Sequence, residues 1–171
     1  MGLDISAYQG LCLINPALAH ELEDDPNSSS IYINKDFPAR AADLPNPCRF
    51  SSSADSFGFR AGSYSGYSRW RELLAEFAAY HVEPGRPGYA DSAWNADSGP
   101  FWELICFSDC EGAIGPSVSA KLSADFQERH TAAVAWAHAR PNGDGDHFMH
   151  TYNNFARAFE MAAQGGAVSF H

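Results

Sequence analysis

Residues 2–14 open on an alternation of polarity. Leu3, Ile5 and Ala7 fall on one side, with Asp4, Ser6 and Tyr8 on the other, the period of two expected of a strand with one buried face. Leu11-Cys12-Leu13-Ile14 follows as a short apolar run, so residues 2–14 read as one or two strands. Residues 15–30 hold Pro16, the carboxylates Glu21, Glu23, Asp24 and Asp25, and a serine tract, which make an exposed connection. A short strand is expected at residues 31–34. Pro38, Pro45 and Pro47 then make residues 35–55 a loop, because proline removes the backbone donors that a central strand needs.

Residues 57–61 read as a strand and residues 62–66 as a glycine-rich turn. From Tyr67 the positions Trp70, Leu73, Leu74, Phe77 and Ala78 recur at helical spacing, with Ser65 or Ser68 available as a cap. Residues 81–100, rich in proline and glycine, read as a mobile loop. The apolar run at 101–107 is expected to be a buried strand. Pro116 suits the first turn of a helix, whose buried face is Val118, Leu122, Phe126, Ala133 and Ala137 and which stops before Pro141. After a turn at 142–145, Phe148, Tyr152, Phe155, Phe159 and Ala162 mark a last helix ended by Gly165-Gly166. Residues 167–170 return to the sheet. The expected fold is α+β, one domain over residues 1–171, with a mainly antiparallel sheet and about three helices packed on it.

The formal charge of −10 and a pI near 4.9 argue against binding a nucleic acid polymer or an anionic membrane surface, both of which favour basic proteins. Arg60, Arg69 and Arg71 nevertheless make a local basic cluster that suits a small anion. No apolar run approaches the roughly 20 residues of a membrane span, and the first residues lack the basic and apolar regions of a signal peptide. Cys12, Cys48, Cys106 and Cys110 show no CxxC spacing, which fits a reducing, cytoplasmic setting.

Two stretches concentrate the candidate chemistry. The elbow at 57–67 brings Arg60, Ser63, Tyr64, Ser65 and Tyr67 to a helix start, where free amides and the helix dipole favour an anion. Arg60, Arg69 and Arg71 would bond a phosphate there, and Tyr64, Tyr67 or Trp70 would stack a base. The pattern is neither a Walker loop nor a dinucleotide fingerprint, and no cofactor is implied. The plainer reading is a glycine turn with Trp70 in the core and the arginines in water.

The second elbow, residues 107–116, carries Asp109, Cys110 and Glu111 just before a helix start. Its carboxylates would accept ribose hydroxyls, hold a cation or act as a general base, and Cys110 would be a nucleophile only beside a group that lowers its pKa. Alternatively Asp109 caps its own turn and Cys110 packs as a small apolar group. His147 and His150, spaced three apart below Asp144 and Asp146, lack the further ligand of a zinc site, so no metal is assigned. Tyr89 and Trp94 lie in the 81–100 loop, which would close over a ligand or face a protein partner.

These two elbows, the Met1-Gly2-Leu3-Asp4 start and the stretch Gly166-Ala-Val-Ser-Phe-His171 resemble a family of small uncharacterised proteins of bacteria and their phages. The resemblance spans the greater part of the chain. It implies no activity, but it makes a phage or prophage origin plausible and with it capture of a host defence signal. The expectation is a phage-associated module that holds a phosphorylated, nucleotide-like ligand, as a possible homo-oligomer. Arg60, Ser63, Tyr64, Tyr67 and Arg69 would grip phosphate and base, and Asp109 and Glu111 the sugar. The alternatives are a hydrolase of such a ligand using Asp109 or Glu111, with a metal or His147 in support, and a protein-binding inhibitor of a host factor. No catalytic residue is assigned, because spacing supplies no complete nucleophile–base set.

Overall fold

The computed structural model describes residues 2–13, 28–44, 51–82, 88–108, 111–141 and 143–171. The alternating stretch at the start is strand β1 (Leu3–Gln9), followed by β2 (Cys12–Leu13), β3 (Ser28–Ser29), β4 (Ser51–Ser52) and β5 (Asp55–Gly62). Helices α1 (Tyr64–Phe77), α2 (Tyr89–Ala93) and α3 (Trp102–Ile105) precede β6 (Gly112–Ile114). The long helices α4 (Pro116–His138) and α5 (Asp144–Ala162) lead to β7 (Ala167–Phe170). The main sheet has the order β5-β1-β7-β6 and is antiparallel throughout. A small second sheet has the order β2-β4-β3. The fold is α+β, as the periodicities predict.

The alternation of β1 sets the two faces. Leu3, Ile5 and Ala7 are buried against α5, which also packs on β5 and β7, while α4 lies across α5. Between sheet and helices sits an aromatic core. Trp70 stacks on Phe155 with ring centroids 4.8 Å apart, and Phe126 meets Tyr152 edge-on at 4.6 Å. Buried rings that carry a polar tip need a partner for it. Here Trp70 Nε1 donates to the Phe148 carbonyl at 3.2 Å, and the Tyr152 hydroxyl donates to that of Phe126 at 2.8 Å.

The other sheet face is covered in part. Ile31, Ala41 and Leu44 of the segment after β3 form a second small core with Ala113 and Ala167. That segment carries a 3-10 turn (Pro38–Ala41) but no ladder over residues 31–34, so the strand expected there is an irregular cover.

Three further expectations are corrected. Residues 101–107 form the short helix α3 and its flanks, not a strand. Phe101 enters with φ of 57°, and its amide is bound by Asp125 Oδ2 at 2.7 Å, which turns the chain before any strand can extend. The 81–100 loop contains α2, whose first amides at Tyr89 and Ala90 are taken by the Glu72 carboxylate of α1. The cap of α1 is Ser63, whose Oγ accepts from Gly66 N at 3.0 Å, not Ser65 or Ser68.

Candidate functional site

The first elbow folds as a capped helix start. Gly62 takes φ of 110°, Ser63 spends its hydroxyl on the cap and lies 3.1 Å from the Ser65 hydroxyl, and Tyr64 stands 42% exposed. Tyr67 does not belong to a surface site. It is 2% exposed, stacks on Trp70 and donates its hydroxyl to the Phe107 carbonyl at 3.4 Å, because its helix face points into the core. Arg69 is directed away from the elbow, in a largely exposed ion pair with Asp144 at 3.3 Å that contributes under about 1 kcal/mol. Arg71 turns inward, and its Nη1 donates to the Ile105 carbonyl at 2.6 Å.

In the second elbow, Asp109 and Cys110 lie outside the described residues. Glu111 is exposed at the head of β6, and its carbonyl accepts from Asn34 Nδ2 at 2.7 Å. The helix start beyond it is already occupied by a protein anion. Asp43 Oδ2 accepts from Ser117 N at 2.6 Å, so the dipole and free amides of α4 serve a cap and not a ligand.

The two elbows do meet, through Tyr67 to Phe107, and Arg71 to Ile105 ties the segments that flank them. Those contacts are made among core groups. The hollow lies on the other side, on the exposed sheet face, with a volume of about 240 Å³ and a lining of Tyr8, Ser30, Tyr32, Glu111, Ser169, Phe170 and His171.

Strand register explains this convergence. Ser6 pairs with Ser169, and Asp4 pairs with Arg60. Asp4 and His171 exchange both backbone hydrogen bonds, at 2.8 and 3.0 Å. Gly112 opposite Phe170 sets Glu111 beside His171. A single row therefore crosses the sheet as Arg60, Asp4, His171 and Glu111. Arg60 is at the far edge, three strand spacings or about 14 Å from Glu111, with its guanidinium over Gly2 so closely that a Cβ there would lie 2.0 Å from Nη2. It does not line the cavity.

The lining offers a carboxylate, an imidazole, serine and tyrosine hydroxyls and two tyrosine rings, a set suited to a molecule with several hydroxyl or amino groups and a flat ring. Ser6 Oγ lies 2.9 Å from His171 Nε2, the contact of a nucleophile with a base. The backbone around Ser6 is committed to ladder bonds on both sides, which leaves no free amides to hold an oxyanion.

His147 and His150 are exposed on α5, with His150 Nε2 3.3 Å from the Asn154 amide. Among the described residues no group of three or more His, Cys, Asp or Glu side chains is placed to hold a metal ion. Sequence reasoning missed Tyr8, Ser30, Tyr32, Ser169, Phe170 and His171. The polar half of the β1 alternation and the lone serine within Ala167–Phe170 were the available signals.

No protein-family model, curated protein or solved structure matches this chain. Among the described residues, no helix is long and apolar enough to cross a membrane.

Proposed function

We propose that this protein is a binding module that holds a small nucleoside- or nucleotide-like molecule on the open face of its sheet. The observation that carries this reading is the 240 Å³ hollow that joins Glu111 and His171 to two tyrosines and two serines. Glu111 and the serines would take sugar hydroxyls, and Tyr8 or Tyr32 would cover the base. Arg60, two strands beyond His171 and thus about 10 Å away, is in reach of a phosphate only on an extended ligand such as a dinucleotide. Given the resemblance to small bacterial and phage proteins, capture without turnover would remove a signal nucleotide from a host.

The test is uptake from a panel of nucleosides and of mono-, di- and cyclic nucleotides, followed by denaturation and analysis of what is released. Intact ligand supports capture. His171→Ala and Tyr32→Ala should each weaken uptake at least tenfold, and Arg60→Ala should weaken dinucleotides while leaving nucleosides unchanged. A second reading, hydrolysis, is favoured by the contact between Ser6 and His171. It predicts altered ligand in the released fraction and loss of turnover in Ser6→Ala. No uptake of any member would refute both and favour a protein partner.

A further inference from the structure

Away from the sheet face, two arginines converge on the end of α3. Arg40, on the 3-10 turn, is only 7% exposed. Its Nε donates to the Glu103 carbonyl at 2.9 Å, and its guanidinium carbon lies 4.5 Å from the centre of the Trp102 ring. Arg71 of α1 donates from Nη1 to the Ile105 carbonyl, and its guanidinium carbon lies 5.5 Å from the centre of the Tyr67 ring. Both charges act on the thiol of Cys106, the residue that caps α3.

The chain has 21 acidic residues against 11 lysines and arginines, so a buried cation should find a carboxylate easily. Among the described residues these two make no ion pair. The Glu103 charge acts on Arg40 from a distance, but its carboxylate bonds Lys121 Nζ at 2.5 Å. Asp125 bonds the same lysine at 2.8 Å, as well as the Phe101 amide. The consequence is visible in one atom, because Arg71 Nε is buried with no hydrogen-bond partner. Desolvating a guanidinium is unfavourable unless its donors are satisfied.

We infer that Arg40 and Arg71 form a site for a phosphate group at the C-terminal end of α3, separate from the sheet-face hollow. A phosphate carries enough charge for both cations, and its several acceptor oxygens match two guanidinium forks in a way that a point charge does not. Arg71 keeps partial exposure, which provides the approach. The inference does not depend on the proposed nucleotide ligand.

The experiment is thermal melting and calorimetric titration of the full chain with inorganic phosphate, against sodium chloride at matched ionic strength. The expected result is a melting temperature that rises with phosphate and not with chloride, as binding to the folded state requires. Arg71→Lys, which keeps the charge but not the fork, should bind phosphate at least tenfold more weakly. Arg40→Lys should behave alike, and if that variant does not fold, Arg71→Lys and the unmodified protein decide the matter. His171→Ala should retain the phosphate response. Absence of any phosphate-specific effect in the unmodified protein overturns the site, as does an undiminished response in Arg71→Lys. A response lost in His171→Ala would move the anion to the sheet face and also overturn it.

Discussion

Cys106 shows how burial governs a single group here. Desolvation pushes its thiol from the ordinary 9.0 up to about 11, with Arg40 and Arg71 pulling back and Glu103 adding to the rise. A folded-state pKa above the unfolded one means that the protonated thiol's stabilising contribution is complete below pH 9 and is lost as pH climbs toward 11. At 1.36 kcal/mol per unit, that loss is on the order of 2–3 kcal/mol. Urea midpoints should therefore fall between pH 9 and pH 11, and Cys106→Ala should flatten much of that decline. Tyr80 and Tyr152, raised chiefly by burial as well, add a further loss of stability from about pH 10 upward, which Cys106→Ala leaves in place. Tyr67 makes the matching point about site residues. Its ring reads as a base-stacking candidate because it follows a glycine turn, but its position on α1 commits it to the core. Tyr67→Phe should lower stability by about 1 kcal/mol in denaturant titration and leave nucleotide uptake unchanged.

Among the elements, the long helices were legible because their buried positions repeat over several turns, and β1, β5 and β7 because they alternate or close a glycine break. Helix α3 was not. Six apolar residues interrupted by Glu103 fit a buried strand and a buried helical turn equally well, and what decides between them is Asp125, on a different helix. Likewise β6 has only three residues and hid inside an elbow whose glycines and Pro116 read as turn and helix start. The cap of α4 was invisible for a stronger reason, since Asp43 lies 74 positions from the amide that it binds. That contact carries a prediction. Asp43→Ala frees the first turn of α4 and removes a negative charge from the dipole's positive end, so it should cost about 1–2 kcal/mol in thermal or urea unfolding. Asp43→Asn, which keeps an acceptor without the charge, should recover part of the loss.

For the molecule as a whole, β7 matters most because it lies between β1 and β6, joining chain segments 165 positions apart at the Ser6–His171 contact. Five of the seven residues of the hollow lie on β1, on β7 or immediately beside β6 and β7, so the site exists only once this strand is seated. This is why the sequence singled out Glu111 and Arg60 together, although only Glu111 lines the hollow. Elbows are written locally, whereas the row across the sheet is written in register. Gly166 guards that register. A Cβ there would lie 1.7 Å from the Tyr8 carbonyl oxygen, a backbone atom fixed within β1. Gly166→Ala must therefore push β7 away from its partner, and should cost about 3 kcal/mol or more and abolish nucleotide uptake. Gly143 provides the contrast, with φ of 76° but open space around its missing Cβ. Gly143→Ala bears only backbone strain, about 1 kcal/mol, and uptake should persist. Equal losses of stability and binding in the two variants would show that the hollow does not depend on the seating of β7.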